Sequence, residues 1–524
     1  MTITETRPEA AEAGDSTIGG DPRGVIVGWV TTGDHKRIGR LFIAVSLAFI
    51  AGALVISCLL GFERASTSTT FLRADSIGQL FSLSGIGAVF LGVVPLLIGI
   101  AVYVVPLQVG ARTIAFPRAA AASFWVWLIG SGMLIVAYAA NGGPGGGKES
   151  AVDLFTLAYG LVLLGLLTAA VCVASTVLVL RAPGMRLEMA PAFAWAAFVQ
   201  SVMLLLTLPV LLANLIYLYV DHRYARSAFG GNFGMGAYIA WATRQPQTYV
   251  YGVPVLGFVA EVVPVFARAR LAMHSVVLFA IGLAGILGFG AFAQAEFAPG
   301  YSHQALNVLM SLAAPIPPLL VLGVCALTLR AHRPRLASPL VFGLAAAVMY
   351  LTATVMGAFT FFPKLHLVDT VWEEAHFNYV VFGGLLAGLG ALAYWAPKMS
   401  GRLLADRRLL GLGLLGFVSL AVFALPQVIN GIIHQPLATV DFTTGNEPLN
   451  LVSAIGAALL TLVVLGVVAV VLGGARRGSE SGADPWGGHT LEWATTSPPP
   501  PVNFSQPIGV VESEGPLLDQ QEAS

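Results

Sequence analysis

The residues of this chain best suited to chemistry lie inside apolar segments. Glu374-Ala375-His376-Phe377-Asn378-Tyr379 sets an imidazole among aliphatic and aromatic neighbours. An imidazole in such a place can ligate iron or copper, and it can equally well hydrogen-bond within a helix bundle. Positions two apart on a helix are separated by ~200°, so His376 and Asn378 face opposite sides. A second group, Gln245-Pro246-Gln247-Thr248-Tyr249, offers amides and a phenol. Glu261, in Phe258-Val259-Ala260-Glu261-Val262, is a carboxylate in an apolar span, where an acid is a functional candidate. Asp369, Glu373 and Glu374 read either as a solvated acidic rim or as an outer cation site. Cys58, Cys172 and Cys325 all fall in apolar spans and read as small buried hydrophobes. The other histidines follow no metal-ligand spacing, with His35 expected at a surface or interface. No phosphate-binding loop or dinucleotide fingerprint is present, and nothing points to nucleic acid.

The elements that must position these groups are membrane helices. The chain has 524 residues, 56% hydrophobic and 10% charged, with a mean hydropathy of +0.81. Because ~20 apolar residues cross a bilayer core, the pattern predicts twelve spans. They lie near 38–61, 76–105, 119–140, 152–180, 191–220, 246–267, 272–294, 305–329, 337–362, 374–397, 409–434 and 449–473. The second is long and contains Pro95, which predicts a tilt or kink. The sixth is the weakest, interrupted by Pro254, Glu261 and Pro264. Residues 1–28 read as a disordered arm, 29–473 as the membrane domain and 474–524 as a Pro/Gly-rich tail without a core of its own. With twelve spans and an internal N-terminus, 20 of the 27 Lys and Arg fall in internal segments. That bias predicts cytoplasmic termini and a multi-pass protein of the plasma (inner) membrane.

The motifs between and after the spans carry a family likeness. Trp29-Val30-Thr31-Thr32-Gly33-Asp34-His35-Lys36-Arg37 precedes the first span, and Pro106-Leu107-Gln108-Val109-Gly110 and Ala115-Phe116-Pro117-Arg118 follow the second. Tyr394-Trp395-Ala396-Pro397-Lys398-Met399 ends the tenth. The tail holds Asp484-Pro485-Trp486-Gly487-Gly488, Thr490-Leu491-Glu492-Trp493-Ala494-Thr495 and Ser497-Pro498-Pro499-Pro500. In these segments the chain resembles subunit I of the haem–copper terminal oxidases, over about residues 29–504. The resemblance implies an all-α polytopic bundle of twelve transmembrane helices. It also implies the family's activity, dioxygen reduction coupled to proton pumping, with a low-spin haem, a high-spin haem and a copper, all held by imidazoles.

At the positions that match the family's ligands, this chain departs from the pattern. Ser84, in Gln79-Leu80-Phe81-Ser82-Leu83-Ser84-Gly85, and Asn378 stand where the resemblance implies the two low-spin haem ligands. Gln245 stands at a copper ligand, Gln247 at a proton-relay glutamate, and Gln294 and Ala295 at the other two copper ligands. Tyr249 matches the family's tyrosine, and His376 matches the high-spin haem ligand. Thr113 and Val102 replace polar residues of one proton path, and no lysine lies in 305–329 for the other. Leu437 and Ala438 replace the propionate-binding arginines. Asp369 remains from an outer metal site, with Val368 in place of its neighbouring histidine.

The expectation is therefore a redox-silent member of the family, a structural or regulatory subunit working in the lipid bilayer beside other oxidase-like subunits. No cofactor is expected, copper least of all. Two alternatives stand beside it: a working terminal oxidase subunit, and a single-haem sensor or conduit built on His376.

Overall fold

The computed structural model describes residues 27–66, 72–224, 248–293, 305–360, 362–440 and 445–523. The protein is an all-helical membrane bundle. In chain order its helices are α1 (His35–Ala65), α2 (Ala74–Ile86), α3 (Val94–Gln108), α4 (Pro117–Ala139), α5 (Glu149–Val179) and α6 (Ala192–Arg223). Then follow α7 (Thr248–Ala267), α8 (His274–Ala293), α9 (Ala305–Ala313), α10 (Ile316–Ala331), α11 (Ser338–Thr360), α12 (Val371–Ser400), α13 (Asp406–Ile432), α14 (Glu447–Arg477) and the short α15 (Pro516–Ala523). Among the described residues, 11 helical stretches are long and apolar enough to cross a membrane. The apolar stretch of α8, His274–Gly288, is shorter and matches the remaining expected span. Large apolar side chains such as Ile129, Val136, Leu157, Ile216, Phe279 and Leu462 point outward, as a hydrocarbon solvent permits.

Local chemistry explains the helix boundaries. Asp34 caps α1 by accepting from the Lys36 N–H, and Thr370 caps α12 by accepting from Trp372. Gly401 ends α12 at φ 71°, the left-handed conformation that glycine adopts without cost. The second span continues from α2 to α3 through a π-helical turn, Gly87–Val93. Pro95 follows after Val94, and a proline has no N–H with which to extend an α-helical ladder, so the wider turn resolves the expected kink. The eighth expected span divides into α9 and α10 around Ala314 and Pro315, just before Pro317 and Pro318. By contrast α7 runs unbroken through Pro254 and Pro264, and nearly all of it is buried. Neighbouring helices there shield the backbone groups that the prolines release.

Two spans form the axis of the bundle: the one ending in α3, and α12, each buried along its whole apolar window. They pack without intervening groups. A Cβ added to Gly388 of α12 would come within 2.7 Å of Leu96, and one added to Gly384 within 3.0 Å of Val93. Small residues at such crossings let membrane helices pack backbone to side chain.

The C-terminal tail closes one end of this axis. It has no core of its own but uses that of the bundle: Trp493 and Glu492 are buried and Asn503 is inaccessible. The Lys398 ammonium, at the end of α12, donates to the carbonyls of Ala483 (2.8 Å), Thr495 (2.7 Å) and Thr496 (3.4 Å). Its cation also lies 5.3 Å from the centre of the Trp493 ring.

Candidate haem and copper region

Of the positions singled out for copper and proton chemistry, Gln245, Gln247, Gln294 and Ala295 lie outside the described residues. Tyr249 is the second residue of α7. The haem positions are described in full. His376 and Asn378 occupy the second turn of α12, and both are buried. Asn378 donates its amide N–H to Gln427 Oε1 of α13 at 2.8 Å. Gln427 is buried too, so the bond serves an amide donor and an amide acceptor inside the bundle, where leaving them unpaired would be costly. Ser84, in the last turn of α2, donates to the Phe81 carbonyl at 2.9 Å. Its hydroxyl is thus tied to its own helix.

Above Ser84 the π-helical turn fills space with aromatic rings. Phe90 meets Tyr159 and Tyr251 edge-on, at centroid separations of 5.5 and 5.6 Å. Its carbonyl accepts from Trp127 Nε1 at 3.0 Å. A π-helical turn misaligns one carbonyl from the regular ladder, and the indole N–H supplies a partner.

At the far end from the tail, the acidic group is engaged by the protein. Arg64 of α1 grips Glu374 with two hydrogen bonds, of 3.1 and 3.0 Å, donates to the Thr439 carbonyl at 2.9 Å and stacks over Phe81 at 4.7 Å. Glu373 accepts from the Asp369 N–H at 3.1 Å. Asp369 is exposed, at φ 60°, and its carbonyl accepts from the Leu437 N–H at 2.9 Å. Val368 is exposed, and Ala438 follows Leu437 at φ 55°. Glu374 is thus held in a partly buried arginine clamp, while Asp369 stays exposed beside it. Among the described residues no group of three or more His, Cys, Asp or Glu is arranged to hold a metal.

The tail-bearing end shows what sequence reasoning missed. His35, expected at a surface or interface, is buried at the tail interface. Its ring binds the Val102 carbonyl at 2.9 Å and Asn503 Oδ1 at 3.0 Å. Lys36 donates to the same Asn503 oxygen, and Asn503 donates to the Ala111 carbonyl at 2.8 Å. Thr113 is exposed and Val102 buried. Glu261 accepts from the Phe193 N–H (3.2 Å) and the Thr490 hydroxyl (3.1 Å). Nearby, Glu492 accepts from Gln108 Nε2 (3.1 Å) and Trp395 Nε1 (3.2 Å). The motifs that hold Gln108, Trp395 and Glu492 were visible as likenesses, but their partners lie too far apart in sequence for any spacing rule to pair them.

Comparison with known proteins agrees with this architecture. The family model described as cytochrome C and quinol oxidase polypeptide I matches residues 37–459. The cytochrome c oxidase subunit 1 of Bacillus subtilis (strain 168) is 30% identical over 522 residues, covering 94% of this chain and 83% of the relative. A putative cytochrome c oxidase subunit 1-beta of Streptomyces coelicolor is 32% identical over 528 residues, covering 94% and 90% respectively.

Proposed function

Since the chain belongs to the cytochrome c and quinol oxidase polypeptide I family, we propose that it is a redox-silent member, a scaffold or regulatory subunit within a membrane complex of oxidase-like subunits. The observation that carries this reading is the Asn378–Gln427 hydrogen bond. Where the resemblance implies an imidazole reaching for iron, a neutral amide pairs with another amide. A low-spin haem iron takes two strong axial donors. Ser84 offers a hydroxyl already donated to Phe81, and Asn378 an amide that binds iron poorly. These residues do not fit that haem. At the copper position Gln245, Gln294 and Ala295 provide no imidazole nitrogen. The orientation that fits the charge bias has both termini in the cytoplasm.

Oxygen uptake tests the proposal. Membranes carrying the wild-type protein are expected to show no cyanide-sensitive oxygen consumption above membranes lacking it. Uptake that rises with the amount of protein and falls on Tyr249→Phe substitution would identify a working oxidase and refute the scaffold reading. A second reading, one high-spin haem on His376, draws on the burial of that imidazole in the bundle. It predicts one haem per chain, removed by His376→Ala.

A further inference from the structure

Two carboxyl groups are buried where the tail seats on the bundle, and the hydrogen bonds around them leave acceptors unserved. Glu261 comes from α7 and Glu492 from the tail, and both are buried. The Phe193 N–H and the Thr490 hydroxyl serve the two oxygens of Glu261. Gln108 and Trp395 both serve Oε1 of Glu492. Among the described residues, Glu492 Oε2 and Gln108 Oε1 are buried acceptors without a donor, and the nearby Tyr394 hydroxyl and Trp493 Nε1 do not point to them. As arranged, two acceptors of the cluster go unserved, and a proton on Glu492 Oε2 would turn one of them into a donor.

The charges nearby do not neutralise two anions. From α12 come Lys398 and Tyr394, from α8 His274, from the turn between α7 and α8 Arg270, and from the tail Asp484, His489 and Glu514. Lys398 is held by tail carbonyls, and Arg270 pairs with Asp519. Among the described residues neither cation lies within 4.0 Å of the two carboxylates. From α3 and α6 come only neutral donors, Gln108 and the Phe193 amide. Two like charges sharing a buried site cannot both ionise at their ordinary values. Burial pushes the Glu492 carboxyl above its ordinary 4.5. A cavity of about 40 Å³ beside Glu261, lined also by Thr490, His489 and His274, is large enough to hold water.

We propose that Glu261 and Glu492 form a proton-sharing carboxyl pair that latches the C-terminal tail to the bundle, so that the tail is held by one bound proton and loosens when that proton is lost. The docked form binds one proton more than the released form, in which both carboxyls meet water. The seat is therefore tightest at low pH. It weakens as pH rises from the ordinary carboxylate range through the raised value of Glu492, by about tenfold in the release equilibrium per pH unit. The latch is independent of the haem-site reading and does not require redox chemistry.

Infrared spectroscopy and limited proteolysis of the detergent-purified full chain test it together. At neutral pH the wild type should show the C=O stretch of a buried protonated carboxylic acid, shifted in D2O and absent in Glu492→Gln. As pH rises, that band should fade while protease cleavage between Asp484 and Asn503 accelerates. Glu492→Gln and Glu261→Gln, which keep the side-chain shape, should each flatten the pH dependence. The proposal is overturned if the wild type has no such band at neutral pH. It is also overturned if the band survives both substitutions, or if tail cleavage is independent of pH. The two wild-type measurements decide the matter even if a variant fails to fold.

Discussion

The middle of this bundle and its tail-bearing end bury polar groups in opposite ways. In the middle these three are neutral and pair within a helix or with a helix at most 49 residues away: Asn378 with Gln427, Ser84 with Phe81, Trp127 with the Phe90 carbonyl. At the tail end they are ionisable or charged, and they bind partners 85 to 468 residues away in sequence: His35 and Lys36 to Asn503, Lys398 to three tail carbonyls, Glu261 to Thr490. A buried charge costs several kcal/mol unless its hydrogen bonds are complete. Charge therefore stays where it ties distant segments together. The middle, by contrast, is filled mainly by aliphatic and aromatic side chains and neutral amides, with His376 the imidazole among them. The expected chemistry lies in the quiet region, and the dense electrostatics lie in the structural one.

Substitutions can break this comparison. The largest effect is expected from Lys398→Met, which keeps the apolar stem but strands the carbonyls of Ala483, Thr495 and Thr496. A loss of about 3 kcal/mol is predicted, read as a fall in thermal midpoint with early proteolysis of the tail. An unchanged tail would show that the ammonium does not hold it. Asn503→Ala removes the acceptor shared by His35 and Lys36 and the donor to Ala111, and about 2 kcal/mol should be lost. Asn378→Ala deletes one neutral amide pair, so a smaller loss of about 1 kcal/mol is predicted, with no change in tail proteolysis. If Asn378→Ala proved as damaging as Lys398→Met, the contrast between the two regions would fail. The smallest effect belongs to Asp519 of α15, whose carboxyl is held below its ordinary range, chiefly by the Ser513 hydroxyl and then by Arg270. That contact is present above the ordinary carboxylate value and is lost as pH falls through the lowered one. Acid should therefore free α15, in the opposite sense to the Glu261–Glu492 latch, and Asp519→Asn should free it at any pH. Hydrogen exchange of residues 516–523 reports both.

Much of the fold was legible before the structure. Runs of ~20 apolar residues leave a bilayer helix little alternative, so the spans fell close to where they were expected. The π-helical turn at Gly87–Val93 was not legible, because Pro95 signals a disturbance of the ladder without specifying its geometry. The division between α9 and α10 depends on the same kind of signal. At the candidate site, the residue types at 84, 376 and 378 could be read directly, since ligand chemistry depends on identity. The partner of Asn378 could not, because Gln427 lies on another helix, 49 residues away, and amides carry no spacing rule. The tail shows the limit most clearly. Its prolines and glycines suggested a polar tail without a core of its own, but not that Trp493, Glu492 and Asn503 are buried against α1, α3 and α12.

The central claim concerns the middle of the bundle. Its most direct test is an absorption spectrum of the detergent-purified protein, with haem and copper quantified per chain. The account predicts neither haem nor copper in stoichiometric amount. Two haems and a copper in each chain would contradict it.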